Sequence, residues 1–185
     1  TRVAGGIYHL SGAGQWTFIA DPADRTASAQ GLAFDAEDSL WIEGEDGVVV
    51  RRSDGSWPSS LEGGRRLDRF SEMAVSEGGD AVWLSDRGGR VLSRRQGDTW
   101  LDVALPSELS LAPHTMAVDP PGNLWLASET YAAVRWKGGA WQVFPRGEGL
   151  GAGYIERIWR DRIGDIWVNQ WSETLGEGLT RLHCR

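Results

Sequence analysis

Four tryptophans constrain this chain more than anything else in it. Trp41, Trp83, Trp125 and Trp167 follow one another at a constant step of 42 residues. Each sits in a short run, SLWI (39–42), AVWL (81–84), NLWL (123–126) and DIWV (165–168). Six residues before three of them stands an aspartate: Asp35, Asp119 and Asp161. The remaining repeat has Ser76 in that place and one extra residue around Glu77-Gly78-Gly79. A second series, Trp16, Trp57, Trp100 and Trp141, advances in steps of 41, 43 and 41.

A repeat of about 40–45 residues that carries several short strands predicts the blades of a β-propeller. The expected fold is all-β, built of four-stranded antiparallel blades in an incomplete ring of about four. The chain enters in mid-blade with GGIYHL and QWTFIA, a half blade over 1–20. Blades follow over approximately 30–61, 72–105 and 114–145, and an incomplete one over 154–185, within a single propeller segment. The first complete blade is expected to run GLAFD, SLWIEG, GVVVRR and SWPSS. Apolar β-branched and aromatic runs punctuated by glycine favour strands throughout. YIERIWRDRI (154–163) also fits helical spacing, and only its register with AFD, AVS and AVD makes it a strand. Strands from 5–20 could close a four-bladed ring with one strand left over. The favoured alternative is an open arc with unpaired edges, through which copies could associate.

Central strands packed between two neighbours must be apolar on both faces, as LWI, VWL, LWL and IWV are. The first-series indoles fill the gap between blades. The aspartates accept turn N–H groups, and Gly122 or Gly164 supplies a positive φ in the hairpin. The second-series tryptophans open the outer strand and anchor it against the adjacent blade.

The segment GEGLGAGYIERIWRDRIGDIWV (147–168), followed by GEGLTRL (176–182), resembles the two-component regulator propeller repeat. MAVDPPGNLWLAS and LAFDAEDSLWIEG are similar but weaker matches. The family's Gly-Thr after LWI is replaced in every repeat here. The resemblance implies a non-enzymatic sensor propeller of a bacterial signalling protein, periplasmic or extracellular, in rings of about seven blades. Seven such blades would need about 290 residues, so 185 residues would be part of one ring.

The formal net charge of −7 argues against nucleic acid or an anionic membrane as partner. No run approaches the ~20 apolar residues of a membrane span. The one cysteine, Cys184, leaves the compartment open. His9, His114 and His183 lack metal-site spacing. The aspartates supply one carboxylate per turn, too few for calcium, so neither metal nor cofactor is expected. Streptogramin-lyase-like propellers share the D-x-x-G-N-LW pattern, but that activity would need a clustered His–Glu pair at a metal. The pairs Arg51-Arg52, Arg65-Arg66 and Arg94-Arg95 read as solvated strand ends.

What remains is binding. Propeller ligands usually meet the loops between second and third strands and between blades. That places Glu43, Asp86, Arg87, Glu129, Tyr131, Asn169, Gln170, Trp171 and Glu173 as candidate ligand-binding residues. Trp171 and Tyr131 belong to neither tryptophan series, and an aromatic beside carboxylate and amide groups suits a sugar or a peptide. The expected ligand is a small molecule, an oligosaccharide or a peptide, with a structural or protein-docking propeller as the alternative.

Overall fold

The computed structural model describes residues 6–58, 61–62, 64–86, 88, 91–97, 99–107, 113–127, 132–145, 150–151, 153–173 and 176–183. Within them five antiparallel sheets, with one two-stranded hairpin between the second and the third, succeed one another along the chain. The first is β1 (Ile7–Leu10) and β2 (Trp16–Ile19); the second is β3 (Gly31–Phe34), β4 (Leu40–Gly44) and β5 (Gly47–Arg51). A small hairpin, β6 (Leu61–Glu62) and β7 (Arg65–Arg66), and a 3-10 turn at Leu67–Arg69 lead to the third sheet. This contains β8 (Phe70–Val75), β9 (Val82–Asp86), β10 (Val91–Gln96) and β11 (Thr99–Ala104). The fourth comprises β12 (Thr115–Val118), β13 (Leu124–Ala127), β14 (Ala132–Lys137) and β15 (Ala140–Pro145). The fifth comprises β16 (Tyr154–Arg160), β17 (Ile166–Ser172) and β18 (Gly176–Leu182). The 154–160 segment is thus a strand, as its repeat register requires.

Each sheet packs face to face on the next through its own apolar cluster. Ile7 meets Leu40 and Ile42 between the first two sheets, and Trp41 lies with Leu67 and Val82 between the second and third. Trp83 fills the next seam and Trp125 the one after. The first strands β3, β8, β12 and β16 neighbour one another in order, so the sheets fan around a common line. This is a β-propeller arc. Trp41, Trp83 and Trp125 are sealed between sheets.

The aspartates do more than cap turns. Asp35 Oδ1 accepts the amides of Glu37 and Ser39, while Oδ2 accepts the Trp41 indole N–H at 2.7 Å. Asp119 does the same for Asn123 and Trp125, and Asp161 for Ile163, Asp165 and Trp167. One carboxylate therefore fixes the hairpin and orients the indole that builds the seam. In the third sheet Ser76 Oγ accepts only the Ala81 amide, and the buried Trp83 indole N–H has no partner. The hydroxyl is too short to span both groups. The fourth hairpin residue takes the left-handed conformation, with Gly122 at φ 85° and Gly164 at φ 92°. A Cβ on Gly164 would lie 2.4 Å from Pro120 Cγ, so adjacent hairpins are packed edge to edge.

Three expectations are corrected. Ser56–Pro58 do not form the fourth strand expected of the second sheet, which has three strands among the described residues. Pro58 has no N–H to give a ladder, and Trp57 packs instead beside the Ile7–Leu40 cluster. The Arg94-Arg95 pair is not solvated: Arg94 lies over the Trp83 ring, and buried Arg95 bonds Asp35 Oδ2 at 3.0 Å across the seam. Among the second tryptophan series, Trp141 anchors its sheet by donating to the Ala104 carbonyl at 3.0 Å, and Trp100 packs edge-on to Trp41. Trp16 is exposed and anchors nothing.

Candidate functional site

The sheets meet at their axial ends at one register level. Gly31 pairs with Glu43, Glu72 with Ser85, Thr115 with Ala127 and Arg157 with Asn169. The first member of each pair lies on an axial strand and the second on its neighbour. This is the end of the arc that carries the loops between second and third strands. The hairpins with the aspartates lie at the opposite end.

At this mouth the repeat abandons its rule. The axial position is glycine, glutamate, threonine and arginine in successive sheets. Two of them, Glu72 and Arg157, follow β-bulges, between Phe70 and Glu72 and between Ile155 and Arg157. A bulge re-aims the side chains beside it. Glu43 Oε2 accepts the Met73 amide at 2.8 Å, stitching the second sheet to the third next to Glu72.

The electrostatics follow from this packing. Burial raises the Glu43 carboxyl; the Met73 amide and Arg157 pull in the other direction without cancelling the effect. Glu72 is pushed up to about 8, first by burial, then by repulsion from Glu43, with Arg157 opposing. Near neutral pH Glu72 therefore holds its proton and can donate a hydrogen bond, while Arg157 offers a fixed cation and Glu43 an acceptor.

The structure distributes the other sequence-predicted residues as follows. Asn169 lies at the mouth, and its Nδ2 donates to Glu156 Oε2 at 2.8 Å. Trp171 lies two residues further along β17, about a third exposed and stacked on Tyr154 with centroids 6.2 Å apart. Glu173 is exposed in the turn that follows. Gln170 is buried: its Oε1 accepts the Gly151 amide, its Nε2 donates to the Gly151 carbonyl, and Thr180 donates to Oε1. Its amide is thus spent on holding the approach to β16. Asp86 lines a separate cleft of about 680 Å³ with Arg65, Arg69 and Trp100. There Arg65 pairs with Asp102 at 2.8 Å and lies over the Trp100 ring. Arg87, Glu129 and Tyr131 lie outside the described residues.

Glu72 and Arg157 were not singled out by sequence reading. Aligning the repeats on the tryptophans brings Arg157 into one column with Gly31 and Thr115, but places Met73 there in the third repeat; Glu72 joins the column only when the extra residue of its hairpin is allowed for. The histidines do not join this column. His9 is exposed on β1, His183 contacts Asp165 at 3.1 Å, and His114 Nε2 bonds the Ile155 carbonyl at 2.8 Å. Because a carbonyl only accepts, His114 Nε2 is the donor of that bond. Among the described residues no group of three or more His, Cys, Asp or Glu side chains could hold a metal ion.

No protein-family model matches the chain, and no curated protein matches it. Solved structures match its fold. A catalytically inactive variant of virginiamycin B lyase from Staphylococcus aureus, with quinupristin, superposes with a TM-score of 0.66 at 13% identity, over 96% of this chain and 63% of the lyase. A putative gluconolactonase superposes at 0.62 with 17% identity, over 97% of this chain and 67% of that one. The extracellular domain of a putative one component system from Bacteroides thetaiotaomicron superposes at 0.65 with 14% identity, over 98% of this chain and 26% of that domain. The chain thus spans less than two thirds of the lyase's length and about a quarter of the sensor domain's. The likeness extends to enzymes and to sensor domains alike, and what they share with this chain is the β-propeller fold.

Proposed function

We propose that this chain is part of a ligand-sensing β-propeller, non-enzymatic, of the kind found in the extracytoplasmic region of bacterial signalling proteins. Recognition is assigned to the axial mouth. The observation that carries this reading is the placement of Glu43, Glu72 and Arg157 at one register level of the axial mouth. A protonated glutamate, an ionisable one and an arginine that influence one another electrostatically supply donors and an acceptor, which suits a small molecule, an oligosaccharide or a peptide rich in hydroxyl or amide groups. Asn169 and the Trp171–Tyr154 stack form the rim beside it, an aromatic surface on which a sugar ring or peptide side chain can rest. The fold-level likeness to an extracellular sensor domain supports the setting, periplasmic or extracellular, by analogy.

A thermal-shift screen with neutral oligosaccharides and short peptides at pH 7, followed by calorimetry on any hit, tests the reading. Arg157→Ala and Glu43→Ala are expected to weaken the hit at least tenfold, about 1.4 kcal/mol, and Trp171→Ala to weaken it less. A hit whose affinity is unchanged in both mouth variants would remove recognition from the axis. Turnover of a hit would overturn the non-enzymatic reading.

A further inference from the structure

The cleft beside the third sheet lies where the second sheet would have carried its outer strand. Among the described residues the second sheet has no fourth strand, and Ser56–Pro58 run outside it. Between the third and fourth sheets the outer strands are both present. There Val134 and its partner Val143, with Trp136 and Trp141, join one apolar cluster with Val103 and Leu105. The corresponding positions of the third sheet, facing the second, are Ser93 and its partner Asp102, with Arg95 and Trp100. A covered pair is thus two valines, and the uncovered pair is a hydroxyl and a carboxylate. The second and third sheets each pack on a further sheet as well, so the cleft belongs to the interior of the arc.

The segment that leaves the second sheet turns back over this face as β6, β7 and the 3-10 turn. Leu67 is buried with Trp41 and anchors the turn. Gly47 has φ 120°, and a Cβ there would lie 2.5 Å from Asp68 Cα, so the turn is seated directly on the hairpin between β4 and β5. Arg65, Arg66 and Arg69 flank that anchor, and all three line the cleft. Two of them are committed within the protein. Arg65 pairs with Asp102, whose Oδ1 also accepts the Ser93 hydroxyl at 2.9 Å. Arg66 Nε donates to Asp68 Oδ1 at 3.1 Å. Arg69 is exposed and, among the described residues, makes no hydrogen bond or ion pair.

We propose that this cleft is a second binding site, off the axis, for a small monocarboxylate with a planar or apolar body. The free Arg69 fork matches the two oxygens of a carboxylate, and the half-buried Trp100 indole offers the body an aromatic wall. Asp86 and Asp102 in the lining disfavour a ligand with more than one negative charge. A volume of about 680 Å³ suits a ligand of this size. None of these residues belongs to the axial mouth, so the inference is independent of the reading given there.

The test follows the arginine Nε–H and tryptophan indole NMR signals of the 185-residue chain at pH 6, with Arg69→Gln and Trp100→Phe to assign them. Benzoate and indole-3-acetate are the probes, and benzyl alcohol, benzylamine and citrate the comparisons. Either carboxylate probe is expected to move the Arg69 and Trp100 signals together and to saturation, and the three comparisons to leave them in place. Arg69→Gln, at an exposed position and checked for folding by circular dichroism, is expected to weaken the probe about tenfold. Asp102→Asn, which releases Arg65 and removes a negative charge, is expected to tighten it. The proposal is overturned if neither carboxylate gives a saturable shift, or if benzyl alcohol binds as well. Unchanged affinity in Arg69→Gln, or weaker binding in Asp102→Asn, would equally overturn it.

Discussion

The two ends of the arc treat the same chemical group in opposite ways. At the hairpin end, burial works against ionisation of Asp35, but the Trp41 indole, the Ser39 and Glu37 amides and Arg95 outweigh it and hold the carboxyl below its usual range. At the mouth, Glu72 meets burial and a second carboxylate with only Arg157 to compensate, and rises to about 8. One end uses its carboxylates to build sheets; the other keeps a pair under electrostatic tension. A repeat protein gains stability from identical seams, so the place where identity is dropped and tension accepted is the place to look for selection by something other than folding.

The largest effect should come from breaking the hairpin end. Asp119→Ala leaves the Trp125 indole and the Asn123 amide unpaired and should lower the unfolding free energy by about 3 kcal/mol, read by urea denaturation. Glu72→Gln should act in the other direction. A carboxyl whose folded pKa is raised binds more protons folded than unfolded, so stability falls as pH rises from about 4.5 to about 8. The variant should flatten that fall and gain on the order of 1–2 kcal/mol at pH 8.5 after allowance for solvent screening. Below pH 4 the sign reverses. Asp21 and Asp35, both held low, then take up protons in the unfolded chain first, and stability drops with acid in the wild type and the variant alike. Ser76→Ala should cost only about 1 kcal/mol, because Trp83 already lacks the partner that Trp125 would lose. Trp171→Ala should cost a comparable amount, about 1 kcal/mol, since its stack on Tyr154 and part of its burial at the rim are lost.

The hairpin end was legible in the sequence because its chemistry repeats: Asp and Trp keep a six-residue interval dictated by one hydrogen bond. The mouth was legible only in outline. Glu43 and Asn169 were reached as residues at the ends of second strands, but Glu72 and Arg157 lie on the axial strands opposite them, where no motif marks a ligand-facing position and the extra hairpin residue moves Glu72 off the 42-residue step. Gln170 was expected to face a ligand, and its amide instead holds the Gly151 backbone; nothing in NQW distinguishes the two uses. The missing outer strand of the second sheet was written in Pro58, whose effect on the ladder outweighs the repeat pattern around Trp57. Exposure of Trp16 could not be read from its series at all, because it depends on whether a sheet stands in front of it.

The most direct measurement is a carbon-detected NMR titration of the glutamate carboxyl groups from pH 3 to pH 10, with Glu72→Gln to assign the resonance. One glutamate is predicted to titrate near pH 8 and to vanish from the spectrum of the variant. If every glutamate titrates in the ordinary range near 4.3, the mouth carries no tension and the contrast between the two ends is wrong.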